Sequence, residues 1–153
     1  MFKSVLVSFA LFVLILGNAK AISDEYRTQI QSKIVEVGAD CFKEHPLGLD
    51  DIAAFKIRKF PDGENAGCFT SCIFKKIGIF DETGILSRET AIENVKEIIE
   101  DEEELQNVRD FFAACSSVND EDVTDGELGC DRAKLAFNCF VENSEKFGLN
   151  LDF

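Results

Sequence analysis

The sequence predicts an all-α domain, a compact bundle of six helices that disulfide bonds hold together. Apolar residues recur at spacings of three and four along most of the chain, which is typical of amphipathic helices. Six cysteines occur among the 153 residues, and an even number in a small exported domain indicates disulfides. A chain of this length builds one hydrophobic core, so no second domain is expected.

The amino-terminal segment predicts a secretory signal peptide over residues 1–21. Lys3 precedes an apolar run at 5–16, and an Ala-Lys-Ala pattern ending at Ala21 supplies a cleavage site. The apolar run is too short to span a membrane comfortably. We therefore expect a secreted, extracellular protein whose single domain covers residues 22–153.

The first two helices are delimited by caps and prolines. The first begins at 23–24 and ends at His45, before a proline. Asp50 or Asp51 caps the second, which stops before Pro61 because the residue preceding a proline is pushed out of the helical region. The apolar stripes are Tyr26, Ile30, Ile34, Val37 and Cys41 in the first helix and Ile52 and Phe55 in the second.

The next three helices follow the same logic of caps and stripes. The third covers Asn65–Ile77 and precedes a loop bracketed by Gly78 and Gly84. Ser87 caps the fourth helix and Asp101 starts the fifth. The inward stripes are Ile92, Val95 and Ile99 in the fourth helix and Leu105, Val108, Phe112 and Cys115 in the fifth.

The end of the chain differs from the rest. The sixth helix, Glu127–Ser144, is apolar around most of its circumference, which predicts a central, buried position. After it, apolar residues alternate with polar or small ones, which predicts an extended tail with one apolar edge. The acidic run at 100–104 is expected to favour the start of a helix and otherwise to face water.

Metal binding, catalysis and nucleic-acid binding are all disfavoured. No C-x-x-C pair occurs and the only histidine is His45, so neither a zinc site nor a Ser-His-Asp or Cys-His arrangement has its components. Asp120, Asp122 and Thr124 resemble the start of a calcium loop, but its glycine position falls on Asp125. The net charge of −13 comes without Lys/Arg clusters that bind phosphates. We expect no cofactor, no metal and no enzyme.

The aromatic inventory favours a lipophilic ligand. Fifteen phenylalanines accompany one tyrosine and no tryptophan, so the aromatic surface has few polar groups. A cavity lined by Phe, Ile and Val gains about 25 cal/mol for each Å² of apolar area that a ligand buries. Apolar stripes at helical spacing also build solid cores, so these patterns alone do not decide whether a cavity exists.

The cysteine spacing is specific. Many pairings are formally open to six cysteines. Cys68 and Cys72 lie four residues apart on one helix face, so they should bridge to other helices rather than to each other. The full pattern is Cys41, 26 residues, Cys68, three residues, Cys72, 42 residues, Cys115, 14 residues, Cys130, eight residues, Cys139.

This spacing resembles that of the insect odorant-binding proteins of the pheromone and general odorant type. The gaps of three and eight residues are its most specific parts, and the resemblance covers the whole chain after the signal peptide. It implies six helices around an apolar cavity that carries a small lipophilic ligand, such as an odorant, pheromone or fatty acid. It also implies the disulfides Cys41–Cys72, Cys68–Cys130 and Cys115–Cys139.

The resemblance further implies which residues line the cavity, because the family builds its pocket mainly from the third to sixth helices and the chain after the last cysteine. Mapped onto this sequence, the pocket residues are Phe74, Ile77, Ile79, Leu86, Ile92, Val95, Ile98, Phe112, Phe137 and Phe140. Some members close the pocket with the carboxy-terminal tail. The apolar edge suited to that task is Phe147, Leu149, Leu151 and Phe153.

Two alternatives stay open. One is a non-olfactory lipophilic carrier in haemolymph, saliva or reproductive fluid. The other is a secreted, disulfide-rich effector or interaction protein with a solid core and no ligand. In the leading interpretation the partner is a small hydrophobic ligand, with no nucleic acid and no stable membrane insertion. We expect a monomer or weak dimer, and the sequence does not indicate a receptor.

Overall fold

The computed structural model describes residues 21–150. The predicted signal peptide up to residue 20, and Leu151 and Phe153 of the predicted tail, therefore lie outside the described residues. The described residues form six α-helices, which confirm the predicted all-α class. Within 21–150 no helix is long and apolar enough to cross a membrane. The helices are α1 (Asp24–Glu44), α2 (Leu49–Lys56), α3 (Ala66–Lys76), α4 (Arg88–Lys96), α5 (Glu102–Cys115) and α6 (Cys130–Ser144).

Three helices begin at the predicted cap residues. Ser23, Ser87 and Asp101 have extended backbones, and each side chain accepts a hydrogen bond from the backbone N–H three residues further on. These bonds satisfy N–H groups of the first turn that have no partner inside the helix. The starts of α1, α4 and α5 are therefore confirmed.

The cap of α2 differs from the prediction. Gly48 is the N-cap, not Asp50 or Asp51. The Asp51 carboxylate instead reaches back and accepts a hydrogen bond from the Gly48 N–H at 2.9 Å. An acidic side chain at the third helical position supports the helix start as well as one at the cap does. The predicted residue type was therefore informative, but the predicted position of the cap was wrong.

The start of α6 also differs. The predicted helix from Glu127 is interrupted, because a 3₁₀ turn over Gly126–Leu128 is followed by Gly129 at φ 73°. Gly129 lies against Gly84, where an added Cβ would be 2.8 Å from the Gly129 Cα. A side chain at either position would push the two segments apart. Gly129 is the N-cap of α6, and the Asp125 carboxylate accepts a hydrogen bond from the Cys130 N–H at 2.6 Å.

The segment after α6 turns before it extends. Residues 145–148 form a turn that ends at Gly148, whose φ is 71°. The N–H of Leu149 donates to the Ser144 carbonyl at 2.7 Å, which closes the helix end. The expectation of an extended segment is therefore wrong for Phe147, since this helix-closing hydrogen bond places it inside the turn.

Three disulfides tie the helices together. Cys41–Cys72 joins α1 to α3, Cys68–Cys130 joins α3 to α6, and Cys115–Cys139 joins the end of α5 to α6. This is the pairing that the family resemblance implies. At the crossing of α3 and α6 the backbones come so close that a Cβ on Gly67 would lie 2.8 Å from the Cys130 carbonyl oxygen.

Candidate functional site

One buried apolar cluster lies between α3 and α6 and includes the loop that follows α3. Side chains from the loop fill the space between the two helices, and small alanines on α6 allow the close approach. We name it the α3–α6 cluster. Its buried members are Phe74, Phe80, Leu86, Val118, Ala133 and Ala136.

Polar side chains beside this cluster bond to the backbone of the fold. Asn119 accepts a hydrogen bond from the Leu86 N–H and donates one to the Leu86 carbonyl, both at 2.9 Å. Arg132 is buried, and its guanidinium donates to the Val118 carbonyl. These hydrogen bonds give the polar side chains partners and tie the backbone at Leu86 and Val118 to the surroundings of α6.

Asp81 organises the loop that carries Phe80 and Leu86. Its Oδ1 accepts hydrogen bonds from the N–H and the hydroxyl of Thr83 and from the Ile85 N–H. Partial burial raises the pKa of Asp81, but these hydrogen bonds together outweigh it and hold the pKa below its usual value. The ionised carboxylate is thus part of the loop structure.

A second buried cluster lies between α4 and α5 and includes both ends of the described chain. The N–H of Ile22 donates to the Gly148 carbonyl at 3.1 Å, which brings the start and the end together. We name it the α4–α5 cluster. Its buried members are Ile22, Ala91, Ile99, Leu105, Val108, Phe111, Phe112 and Leu149.

Phe140 on α6 joins the two clusters. Its ring centroid lies 5.6 Å from that of Phe74, 5.1 Å from that of Phe111 and 5.7 Å from that of Phe112. Ile79 also packs against both clusters. The two clusters therefore form one continuous apolar interior across α3, α4, α5 and α6.

Most of the predicted pocket residues meet in this interior. Phe74, Leu86 and Phe112 are buried members of the clusters, and the half-buried ones that pack against them are Ile77, Ile79, Ile92, Val95, Ile98 and Phe140. Phe137 takes another direction, since its ring packs 5.5 Å from Phe55 and 5.4 Å from Phe60. Half-buried apolar side chains retain accessible surface that a ligand could cover.

Two of the four predicted lid residues also pack on this interior. The Phe147 ring lies 6.1 Å from that of Phe111 and under the Lys146 ammonium, which is 5.1 Å from its centroid. Leu149 is buried in the α4–α5 cluster. The segment after α6 therefore contacts the residues around α5.

Phe111, Ile22 and Glu104 are among the residues of this region that were not predicted from the sequence. Phe111 is buried beside Phe112, and its spacing of three from Val108 and four from Cys115 would have shown it. Ile22 precedes the first helix, so helical periodicity gives no signal for it. Glu104 was expected to face water but is only 4% exposed, because its carboxylate turns toward the start of α1.

Charged side chains gather at a different surface, around Phe60. One open cleft of about 360 Å³ includes Arg58, Lys59 and Lys134, whose ammonium lies 5.7 Å from the Phe60 ring centroid. A neighbouring cleft of about 400 Å³ includes Asp62. Among residues 21–150, no three His, Cys, Asp or Glu side chains are grouped so that they could hold a metal ion.

Comparison with known proteins supplies the family. The model of the PBP/GOBP family matches residues 23–143. This stretch contains all six cysteines and the six described helices, except for Ser144, the last residue of α6. The chain belongs to the PBP/GOBP family. Members of this odorant-binding family are carriers of small hydrophobic ligands, not enzymes.

Two relatives extend the comparison beyond the family model. General odorant-binding protein 19d of Drosophila melanogaster is 28% identical over 118 residues, covering 76% of this chain and 75% of the relative. Odorant-binding protein 22 of Aedes aegypti is 21% identical over 133 residues, covering 87% and 90%. The PBP/GOBP chain described here thus aligns with most of the length of both.

Solved structures show the same fold. The odorant-binding protein dmelOBP28a of Drosophila melanogaster superposes with a TM-score of 0.60 at 22% identity, covering 80% of this chain and 98% of that chain. Odorant binding protein 5 of Apis mellifera gives 0.58 at 19% identity, covering 84% and 98%. At these identities the likeness concerns the fold alone.

Proposed function

We propose that this protein binds a small lipophilic molecule in its apolar interior and carries it through an extracellular fluid. The observation that carries the proposal is the continuous interior formed by the α3–α6 and α4–α5 clusters. A ligand that covers apolar surface there gains about 25 cal/mol per Å². Odorants, pheromones and fatty acids fit this chemistry, and family membership supports it.

The half-buried members of the interior are the residues proposed to contact the ligand. Ile92, Val95 and Ile98 pack against the α4–α5 cluster, and Ile77 packs against the α3–α6 cluster. Ile79 and Phe140 lie between the two clusters. Phe137 packs toward Phe55 and Phe60, so we assign it to the packing of α6 rather than to ligand contact.

The segment from Phe147 to Phe153 is proposed to act as a lid. Phe147 and Leu149 pack against the same cluster as the ligand-contacting residues of α4. If this segment moves aside, a ligand can leave while the disulfide-linked helices stay in place. The lid proposal therefore concerns the rate of release more than the affinity.

Fluorescent probe binding tests the carrier function. Refolded, disulfide-intact protein is expected to take up N-phenyl-naphthylamine and to release it when long-chain alcohols or acids are added. Failure of both would favour the alternative of a secreted effector with a solid core, since a solid core offers the probe no apolar surface to cover.

A matched pair of variants locates the site. Val95→Phe adds a ring inside the proposed pocket and is expected to lower probe affinity about tenfold, because the added volume competes with the ligand. Val35→Phe makes the same change on α1, where the side chain is 72% exposed, and should leave affinity unchanged. Equal effects of the two variants would place the probe elsewhere.

The extracellular setting is proposed from the predicted signal peptide and from the secretion typical of the family. Native mass spectrometry of protein purified from its own tissue would show whether a ligand travels with it, and at what mass. Transcripts confined to antennae would support an olfactory role. Transcripts in fat body, salivary gland or reproductive tissue would favour the non-olfactory carrier.

A further inference from the structure

The start of the domain is built into the fold. Ile22 is only 2% exposed and belongs to the α4–α5 cluster. Its nitrogen donates to the Gly148 carbonyl at 3.1 Å, and the next nitrogen, that of Ser23, donates to Oε2 of Glu104 at 3.2 Å. A residue ahead of the first helix is thus fixed by its side chain and by its backbone.

The carboxylate that meets this segment is itself buried. Glu104 is 4% exposed and is the third residue of α5, so it lies at the positive end of that helix. Its contact with the Ser23 N–H places it at the amino-terminal end of α1 as well. A buried carboxylate is stable only where charges of opposite sign or hydrogen-bond donors surround it, and two helix starts supply partial positive charge.

We propose that cleavage between Ala21 and Ile22 turns the Ile22 nitrogen into an ammonium group that forms an ion pair with Glu104. This inference rests on the predicted signal-peptide boundary. Hydrolysis adds water across the peptide bond, leaving a carboxylate on Ala21 and an amine on Ile22. The amine takes up a proton at neutral pH, since α-amino groups titrate near pH 8.

The geometry already present places the two charges near each other. Successive backbone nitrogens are separated by roughly 3 to 4 Å, and Oε2 of Glu104 lies 3.2 Å from the Ser23 nitrogen. The new ammonium therefore lies within about 7 Å of this oxygen. One ammonium proton keeps the hydrogen bond to the Gly148 carbonyl, and the others are free to face Glu104. The pair links α1, α5 and the turn after α6 around the α4–α5 cluster, and it exists only in the processed protein.

A double-mutant cycle on the full secreted domain tests the pair. One chain starts at Ile22, and a second carries Gly-Ser ahead of Ile22, which moves the ammonium two residues away. Each is made with Glu104 and with Glu104→Gln. We expect the extension to lower the folding equilibrium constant at least tenfold when Glu104 is present and less than threefold in the Glu104→Gln background. Equal effects in the two backgrounds would overturn the proposal.

A matched control separates this pair from general charge effects at the start of α5. Glu103 is the neighbouring glutamate on the same turn and is exposed. In the Glu103→Gln background the extension should cost as much as in the unsubstituted protein. If Glu103→Gln suppresses the cost as Glu104→Gln does, the ammonium interacts with the acidic run as a whole and the specific pair is wrong.

A measurement on the unsubstituted chain keeps the test decisive if Glu104→Gln does not fold. The Ile22 amine is acetylated with an N-hydroxysuccinimide ester, and the modified peptide is quantified by mass spectrometry. We expect at least tenfold slower reaction than for the Gly-Ser-extended chain, and equal rates would contradict the pair.

Amino-terminal sequencing of the secreted protein must find Ile22 first; any other first residue overturns the inference. None of these readouts uses ligand binding, so a negative result for the ion pair does not contradict the carrier function.

Discussion

The helices around the two apolar clusters, which form the α3–α6 half and the α4–α5 half of the interior, are held together in different ways. In the α3–α6 half, the backbones approach so closely at Gly67 that no side chain fits, and Cys68–Cys130 crosses the same contact. In the α4–α5 half, the packing consists mainly of large side chains, including Ile22 and Leu149 near the two ends of the described residues. Its disulfide, Cys115–Cys139, joins the carboxyl end of α5 to α6, and α4 carries no cysteine.

This difference indicates which half can adapt to a ligand. Backbone contacts without intervening side chains have little freedom to separate, and a disulfide across them restricts it further. Side chains such as Ile92, Val95 and Ile98 are half-buried and can change rotamer while the helices stay in place. We therefore expect the α3–α6 half to determine stability and the α4–α5 half to determine ligand exchange.

Removing a disulfide should have the largest effect on stability. Cys68→Ala with Cys130→Ala opens a loop with a sequence separation of 62, and Cys115→Ala with Cys139→Ala one of 24. The chain-entropy model gives losses in unfolding free energy of about 4 and about 3 kcal/mol, respectively. Urea unfolding of both double variants measures this difference. A larger loss for the Cys115 pair would show that the α3–α6 half is not the stability-determining one.

Filling the contact between Gly84 and Gly129 should be the next most costly change. Gly84→Ala combines a φ of 74° with a Cβ 2.8 Å from the Gly129 Cα, and we expect a loss of about 3 kcal/mol. Gly126→Ala is the control, since its φ is 57° but nothing lies within 4 Å of the added Cβ. It should cost about 1 kcal/mol. Similar thermal unfolding of the two variants would contradict a tight backbone contact.

In the α4–α5 half, Leu149→Ala should act on ligand exchange as well as on stability. Truncating this buried side chain removes packing worth about 2 kcal/mol and loosens the segment proposed as the lid. Stopped-flow displacement of N-phenyl-naphthylamine is expected to show several-fold faster release. Leu128→Ala, at a leucine that is 65% exposed, should change neither quantity. Unchanged release in Leu149→Ala would count against the lid.

The smallest effect is expected at Asp81, and it depends on pH. Because its pKa is lowered in the folded protein, its contribution to stability is present above the unfolded carboxyl value and is lost as the pH falls through the folded value. Asp81→Asn should cost about 1 kcal/mol at pH 7 and progressively less below about pH 4. Glu82→Gln, an exposed neighbour, is the control in denaturant titrations at both pH values. A pH-independent difference would contradict this account.

Local sequence signals accounted for most of the secondary structure. Ser23, Ser87 and Asp101 mark helix starts because their side-chain oxygens can reach the first turn whatever surrounds them. The stripe of Leu105, Val108 and Phe112 is buried because an amphipathic helix turns its apolar face inward. These signals depend only on residues a few positions apart, so the sequence displays them directly.

The candidate site was only partly predictable, because its contacts join residues that lie far apart in the chain. Phe137 and Phe140 lie on neighbouring faces of α6, yet one packs on α2 and the other joins the two clusters. Periodicity shows that both faces are apolar but not which partner each one meets. Glu104 reads as a surface residue within an acidic run until the start of α1 is placed against it.

The sequence by itself determined that the helices form, the caps of α1, α4 and α5, and the family, since cap residues, cysteine spacing and apolar periods are properties of the chain. The tertiary structure alone determined the joining of two clusters at Phe140, the contact of Gly84 with Gly129 and the burial of Ile22 beside Gly148. Each of these contacts links residues far apart in the chain. Their energies arise only when several helices pack at once, so no local pattern encodes them.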